Sequence, residues 1–237
     1  MSKEQLDLIR DYLIFQKLPL DILLEVEDHM ASQVLDVQKN EDLSFDEAFL
    51  KTQKLWEHEF KMTAYSIFYS EQIPVIVKKI VKAKYNKILR KSFFYAMISF
   101  AVNLLLIYFS NNQETYTNFF QGQNLLFLLA PALVWAFNYK IRKYVKRDFK
   151  YKGRSFYSIY QQNIGIMVVS TTTMAQIVSK EGKYAYLLFK NHSQEDIMFA
   201  LVTLILPFFV QMVVIFGILN FFEHKRTLKK LSIFVVD

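Results

Sequence analysis

The chain has 237 residues, 53% of them hydrophobic, no cysteine and a formal net charge of +7 at pH 7. The absence of cysteine excludes a disulfide framework, a thiol nucleophile and a thiolate metal site. The charge is divided: residues 1–70 hold 14 acidic and 7 basic side chains, and residues 71–237 hold 8 and 22. The basic excess therefore lies beside apolar stretches rather than on a soluble fold, which argues against nucleic-acid binding.

Met1-Ser2-Lys3-Glu4-Gln5 has neither a basic leader before an apolar core nor the glycine that N-myristoylation needs, so neither a cleaved leader nor a lipid anchor is expected. Leu6, Ile9 and Leu13, flanked by Leu8, Tyr12 and Phe15, predict an amphipathic helix ending near Lys17. Pro19 suits the first turn of a second helix, where Leu23, Val26, Met30, Val34 and Val37 share a face. The polar stretch Lys39-Asn40-Glu41-Asp42 ends it. Ser44 and Glu47 form a capping-box signature for a third helix that buries Phe45, Ala48, Phe49, Thr52, Leu55 and Trp56.

Residues 71–92 predict a basic amphipathic helix with Val77, Val81, Tyr85 and Ile88 as its apolar stripe. It either lies at a lipid interface or continues as a stalk into the next segment. Pro74 marks a hinge before it. Four apolar stretches follow, at about 93–110, 119–138, 156–178 and 197–222, each near the ~20 residues needed to cross ~30 Å of hydrocarbon. Seven basic residues lie within 78–91, eight within 139–155 and four after 222, against none in 111–118 and three in 179–196. This positive-inside bias places both termini in the cytoplasm. Lys78, Lys79, Lys82, Arg142, Lys143, Lys146 and Arg147 are expected to meet the anionic lipids of the inner leaflet, at about 1 kcal/mol each. The acidic N-terminal domain is also expected to dock on the basic 139–155 loop.

Tyr108, Tyr116, Trp135 and Tyr139 are expected near the membrane interfaces, and Pro131 and Pro207 inside spans. The third stretch is rich in polar residues, with Ser158, Gln162, Gly165, Val169, Thr172 and Gln176 on one predicted helical stripe. In lipid such groups turn inward and bond across helices, as glue or as a homodimer contact. Alternatively they line a polar path. No ionisable residue occupies the centre of a span, which disfavours a pump. In the basic tail 223–237, Leu228, Leu231 and Val235 are expected to press on the membrane or on the N-terminal domain.

No residue set names a reaction. Glu25 and His29 share a helix face, and Glu57-His58-Glu59 supplies a second histidine and acids, but HExxH is absent. GxxxxGK[ST], GxGxxG and GxSxG are also missing, and only five glycines are present. No catalytic, cofactor or metal site is expected, and His192 and His224 read as surface histidines in loops.

Tyr12-Leu13, Lys17-Leu18-Pro19, Asp21, Glu25-Val26-Glu27-Asp28-His29-Met30, Gln33 and Leu43-Ser44-Phe45-Asp46-Glu47-Ala48-Phe49 together resemble the HAAS-type helical signalling domain, over about residues 3–62. Where that family usually has a glycine before the third helix, this chain has Glu41-Asp42-Leu43-Ser44. The resemblance implies a bacterial inner-membrane protein with a cytosolic helical sensory or interaction domain, and a cytosolic regulator, often PadR-like, as partner. It brings no catalytic residues.

The expected fold is all-α: an N-terminal cytosolic three-helix domain (1–70), a basic juxtamembrane helix (71–92), a four-helix transmembrane bundle (93–222) and a basic tail (223–237). The expected function is non-enzymatic sensing or interaction, with Glu25, Asp28, His29 and Trp56 meeting the partner. The alternative is a small transporter, or a subunit of one, using Gln162, Thr172 and Gln176. Expected partners are anionic lipids, a cytosolic regulator and a second copy of the chain.

Overall fold

A computed structural model describes residues 1–66, 68–69, 71–179, 182–190 and 197–231. His192, Val235 and residues 232–237 lie outside them. In chain order the elements are α1 (Lys3–Phe15), α2 (Leu20–Glu41), α3 (Phe45–Phe60), β1 (Met62–Thr63), β2 (Ile73–Pro74), α4 (Val75–Phe109), α5 (Gln113–Phe137), α6 (Arg142–Val145), α7 (Gly165–Val178), α8 (Lys183–Lys190) and α9 (Ile197–Leu231). The two short strands form an antiparallel pair, and the rest is almost wholly helical.

The chain divides into two compact units. One holds residues 1–85, 141–162 and the chain from 223, and the other holds 86–140 and 163–222.

In the first unit, α1 and α3 both start on capping boxes. Ser2 pairs reciprocally with Gln5 and Ser44 with Glu47, satisfying N–H groups that a helix start leaves without partners. Ile9, Leu13, Leu23, Val26, Met30, Val34 and Ala48 are buried where the periodicity puts them. Leu55 is a correction: it is 58% exposed, because the buried side of α3 runs through Ala48, Thr52 and Phe60 instead. Asp42 caps α2 in the left-handed conformation (φ 53°, ψ 41°), the position where a glycine pays no Cβ penalty.

In α4 the basic segment and the first apolar stretch are one helix. It runs unbroken for 35 residues, about 50 Å at 1.5 Å per residue, because nothing from Val75 to Phe109 is glycine or proline. Pro74 pairs with Met62 in the strand ladder just before it. The tail expectation also changes, since α9 continues through residue 223 to Leu231.

Three helices, α4, α5 and α9, are long and apolar enough to cross a membrane. In the second unit Phe94, Leu105, Leu126, Phe137, Val169 and Met198 are all exposed, an apolar exterior far larger than a water-facing surface carries. Its core packs Ile107, Tyr116, Phe120, Met174, Ile177 and Val214. A Cβ at Gly217 would come within 3.0 Å of the Met167 Cα, so this glycine lets α9 and α7 approach backbone to backbone. Pro131 and Pro207 stand inside unbroken helices.

The predicted 156–178 helix is the main correction. Residues 156–160 are irregular, Gln161–Asn163 form one 3-10 turn, and α7 begins only at Gly165. Its 14 residues reach about 21 Å, short of ~30 Å of hydrocarbon.

Candidate functional site

The segment that fails to become helix is built into the core of the first unit. Ser155 through Gln161 are all buried, although they have no regular structure before the 3-10 turn. Irregular backbone survives burial only when its polar groups find partners. Here they do. The Phe156 carbonyl accepts from the Leu20 N–H at 2.7 Å, which serves the start of α2 where Pro19 offers no side-chain cap. The Ile159 carbonyl accepts from the hydroxyls of Tyr69 (2.7 Å) and Tyr85 (2.9 Å). Gln161 donates from Nε2 to the carbonyls of Lys146 and Phe149, and its Oε1 accepts from the Tyr157 N–H at 2.9 Å.

Asp21 faces this segment from the first turn of α2. Its Oδ2 accepts from the Ile159 N–H at 3.5 Å, while Oδ1 is shut away from solvent without a hydrogen bond. Burial pushes the carboxyl up to about 6, against the opposing pull of the Lys84 charge and nearby backbone N–H groups. The Tyr69 hydroxyl is pushed well up by the same burial and by neighbouring Tyr85 and Asp21.

His224 corrects the reading of a surface histidine. It lies within α9, fully buried, with Nδ1 2.8 Å from the Ser158 Oγ, which also accepts from the Tyr160 N–H at 3.1 Å. The spacing is that of a nucleophile and its base. Both side chains have no exposed surface, however, and no carboxylate orients the ring among the described residues. The pair ties the end of α9 to the buried segment.

Two ion pairs and a cation–ring contact also join residues 1–85 to 141–162. Lys152 pairs with Asp11 at 3.1 Å, Arg147 with Glu71 at 3.4 Å, and the Arg154 guanidinium stacks 5.6 Å from the Phe15 ring centre. Exposed pairs of this kind contribute little each. The buried segment supplies the packing.

Of the residues expected to meet a partner, Glu25, Asp28 and His29 are exposed on α2. Trp56 is engaged internally: its indole N–H donates to the Gln33 Oε1 at 2.7 Å and its ring stacks on Phe60. Next to that exposed face lies Glu27, nearly buried in a two-pronged pair with Arg10 at 2.8 and 3.0 Å, which fastens α1 to α2. Among the described residues, no three His, Asp or Glu side chains gather as a metal-ligand set.

Of the residues expected at lipid headgroups, Lys78 donates to the Ala64 carbonyl (2.9 Å) and Lys79 pairs with Glu59 (2.6 Å). The Lys143 ammonium lies over the Tyr144 ring. Lys82, Arg142 and Lys146 are exposed.

The predicted polar stripe is broken up. Ser158 and Gln162 precede α7, and Thr172 and Gln176 are exposed on it. Thr172 donates to the Val169 carbonyl of its own helix, as Ser170, Thr171 and Thr173 do to carbonyls three or four residues back. Amide bonding between helices occurs elsewhere. Asn103 donates to the Gln123 Oε1 at 3.0 Å and accepts from the Tyr116 hydroxyl at 3.1 Å, while Gln211 donates to the Asn124 Oδ1 at 2.9 Å. Tyr116 is thus fully buried and not an interface anchor. The single amides of the other spans were the signal for this network, and the consecutive Gln161-Gln162-Asn163 for the non-helical segment. No family model, curated protein or solved structure matches the chain.

Proposed function

We propose that this chain is an integral protein of the bacterial inner membrane that acts without catalysis, as a sensor or interaction protein whose first unit faces the cytoplasm and engages a cytosolic regulator. The observation that carries this reading is the make-up of that unit. Its N-terminal helices pack on 141–162, the connection between two helices of the apolar unit, and that segment in turn holds the end of α9 through Ser158 and His224. A change in the apolar helices then bears directly on the partner-facing helices.

The same make-up supports a four-span topology with both termini inside. Residues 1–85, 141–162 and 223–231 belong to one compact unit, which favours one side of the membrane for all three. In this reading residues 163–222 leave and return, with α9 as one crossing and α7, which by itself is shorter than the hydrocarbon, as part of the other. The HAAS-like pattern of α1–α3 and the exposed face of Glu25, Asp28 and His29 support the regulatory role.

The test is crosslinking and affinity purification of the full-length protein from native membranes. The wild type should retain a discrete cytosolic regulator that the triple variant Glu25→Ala, Asp28→Ala, His29→Ala loses. An unchanged set of partners overturns the assignment of that face.

A further inference from the structure

The first unit also holds a cavity of about 420 Å³, within the size range of small-molecule sites. Its lining includes the buried apolar side chains Val77 and Phe156 and also Phe15, which is 69% exposed. Three cations line it, Lys17, Lys150 and Arg154. None of the three is ion-paired among the described residues. The Lys150 ammonium lies 4.7 Å from the Phe156 ring centre, and the Arg154 guanidinium stacks on Phe15. Such cation–ring contacts orient the cations while leaving their N–H donors available. Glu71 is the one carboxylate among the lining residues, and it is taken up by Arg147.

The backbone is shaped to present these groups. Lys152 (φ 46°) and Gly153 (φ 68°) are consecutive left-handed residues in a tight turn closed by the Arg154 N–H on the Tyr151 carbonyl at 3.0 Å. This turn separates Lys150 from Arg154 along the chain. Lys17 holds φ 58°, a conformation that favours glycine, and the chain places a long cation there instead.

Three cations and an apolar patch in one lining match a ligand with a doubly charged head and a short apolar body. We infer that this cavity binds a phosphate-headed amphiphile, with the phosphate held by Lys17, Lys150 and Arg154 and the apolar part against Val77 and Phe156. A phosphate carries close to two charges at neutral pH and accepts from several donors at once. The ligand is either the phosphate-monoester head of a membrane lipid or a soluble phosphate ester. Binding here is independent of which partner the α2 face engages.

The experiment uses the full-length protein in nanodiscs of zwitterionic lipid, titrated with hexyl phosphate. Hexyl phosphate should bind more tightly than either inorganic phosphate or hexanol. The double variant Lys150→Gln, Arg154→Gln should weaken it at least about tenfold, since two charge-assisted contacts are lost. The control double variant Lys82→Gln, Lys87→Gln removes the same charge outside the cavity lining and should change it less than about twofold. Equal weakening by both doubles, or none by the first, overturns the site. Arg154→Gln alone, at an exposed turn, should show a smaller loss in the same direction, and no loss counts against the site even if the double variant misfolds. Nanodiscs with about one-fifth phosphatidic acid, whose head is a phosphate monoester, separate the sources. Competition with hexyl phosphate there upholds the site as a lipid site, and undiminished affinity upholds it as a site for a soluble ester.

Discussion

The two units bury polar groups in opposite ways. The first holds ionisable ones: Asp21 against the buried segment, Glu27 with Arg10, and His224 with Ser158. The second uses neutral amides and hydroxyls, Asn103 with Gln123 and Tyr116, and Asn124 with Gln211. A charge can be kept where water or a counter-ion lies within reach, whereas hydrocarbon penalises charge far more than a satisfied amide. Polar chemistry therefore separates the two regions as clearly as apolar length does.

The largest expected effect bears on the charged side of this contrast. Asp21 is raised from 3.8 to about 6, so its contribution to stability is fully present below about pH 4 and is lost as pH rises through about 6. Asp21→Asn should remove that dependence and gain about 3 kcal/mol at neutral pH, to order of magnitude. Hydrogen exchange followed from pH 4 to 7 should show the change in α2 and not in α5. Equal pH sensitivity in both helices would break the contrast.

Arg10→Ala leaves Glu27 nearly buried without its cation and should cost about 2 kcal/mol, a buried-pair cost discounted because Arg10 is partly exposed. Chemical unfolding followed by Trp56 fluorescence, in a Trp135→Phe background, reads this loss. In the second unit, Asn124→Leu or Gln211→Leu should cost only about 1 kcal/mol, because an amide freed within a membrane finds other partners. The two changes together should cost less than their sum, and strict additivity in a double-mutant cycle would deny the pair. The smallest effect is a gain: Asp42→Gly relieves the left-handed cap of α2 and should raise stability by about 0.5–1 kcal/mol in thermal unfolding.

Much of the helical framework is legible locally. Ser44 and Glu47 start α3 as their spacing predicts, and the stripe through Leu23, Val26, Met30 and Val34 is buried. The exposed position of Glu25, Asp28 and His29 follows from the same periodicity. Residues 156–163 mislead because Phe156, Tyr157, Ile159 and Tyr160 are as apolar as a span, while their surroundings differ. Nothing local tells that the Ile159 carbonyl meets two tyrosine hydroxyls, or that His224 lies beside Ser158.

What the amino-acid sequence determined by itself is the helical class, the starts of α1 and α3, the three long apolar helices and the division between an acidic N-terminal region and a basic remainder. These depend on neighbours within a turn or two, or on composition summed along a segment. The tertiary structure alone decided the partner of each buried polar group, the course of 156–163 and the joining of three chain segments into one unit. A hydrogen bond or ion pair across tens of residues leaves no periodic trace, because its energy depends on which surfaces exclude water together and not on how far apart the residues stand in the chain.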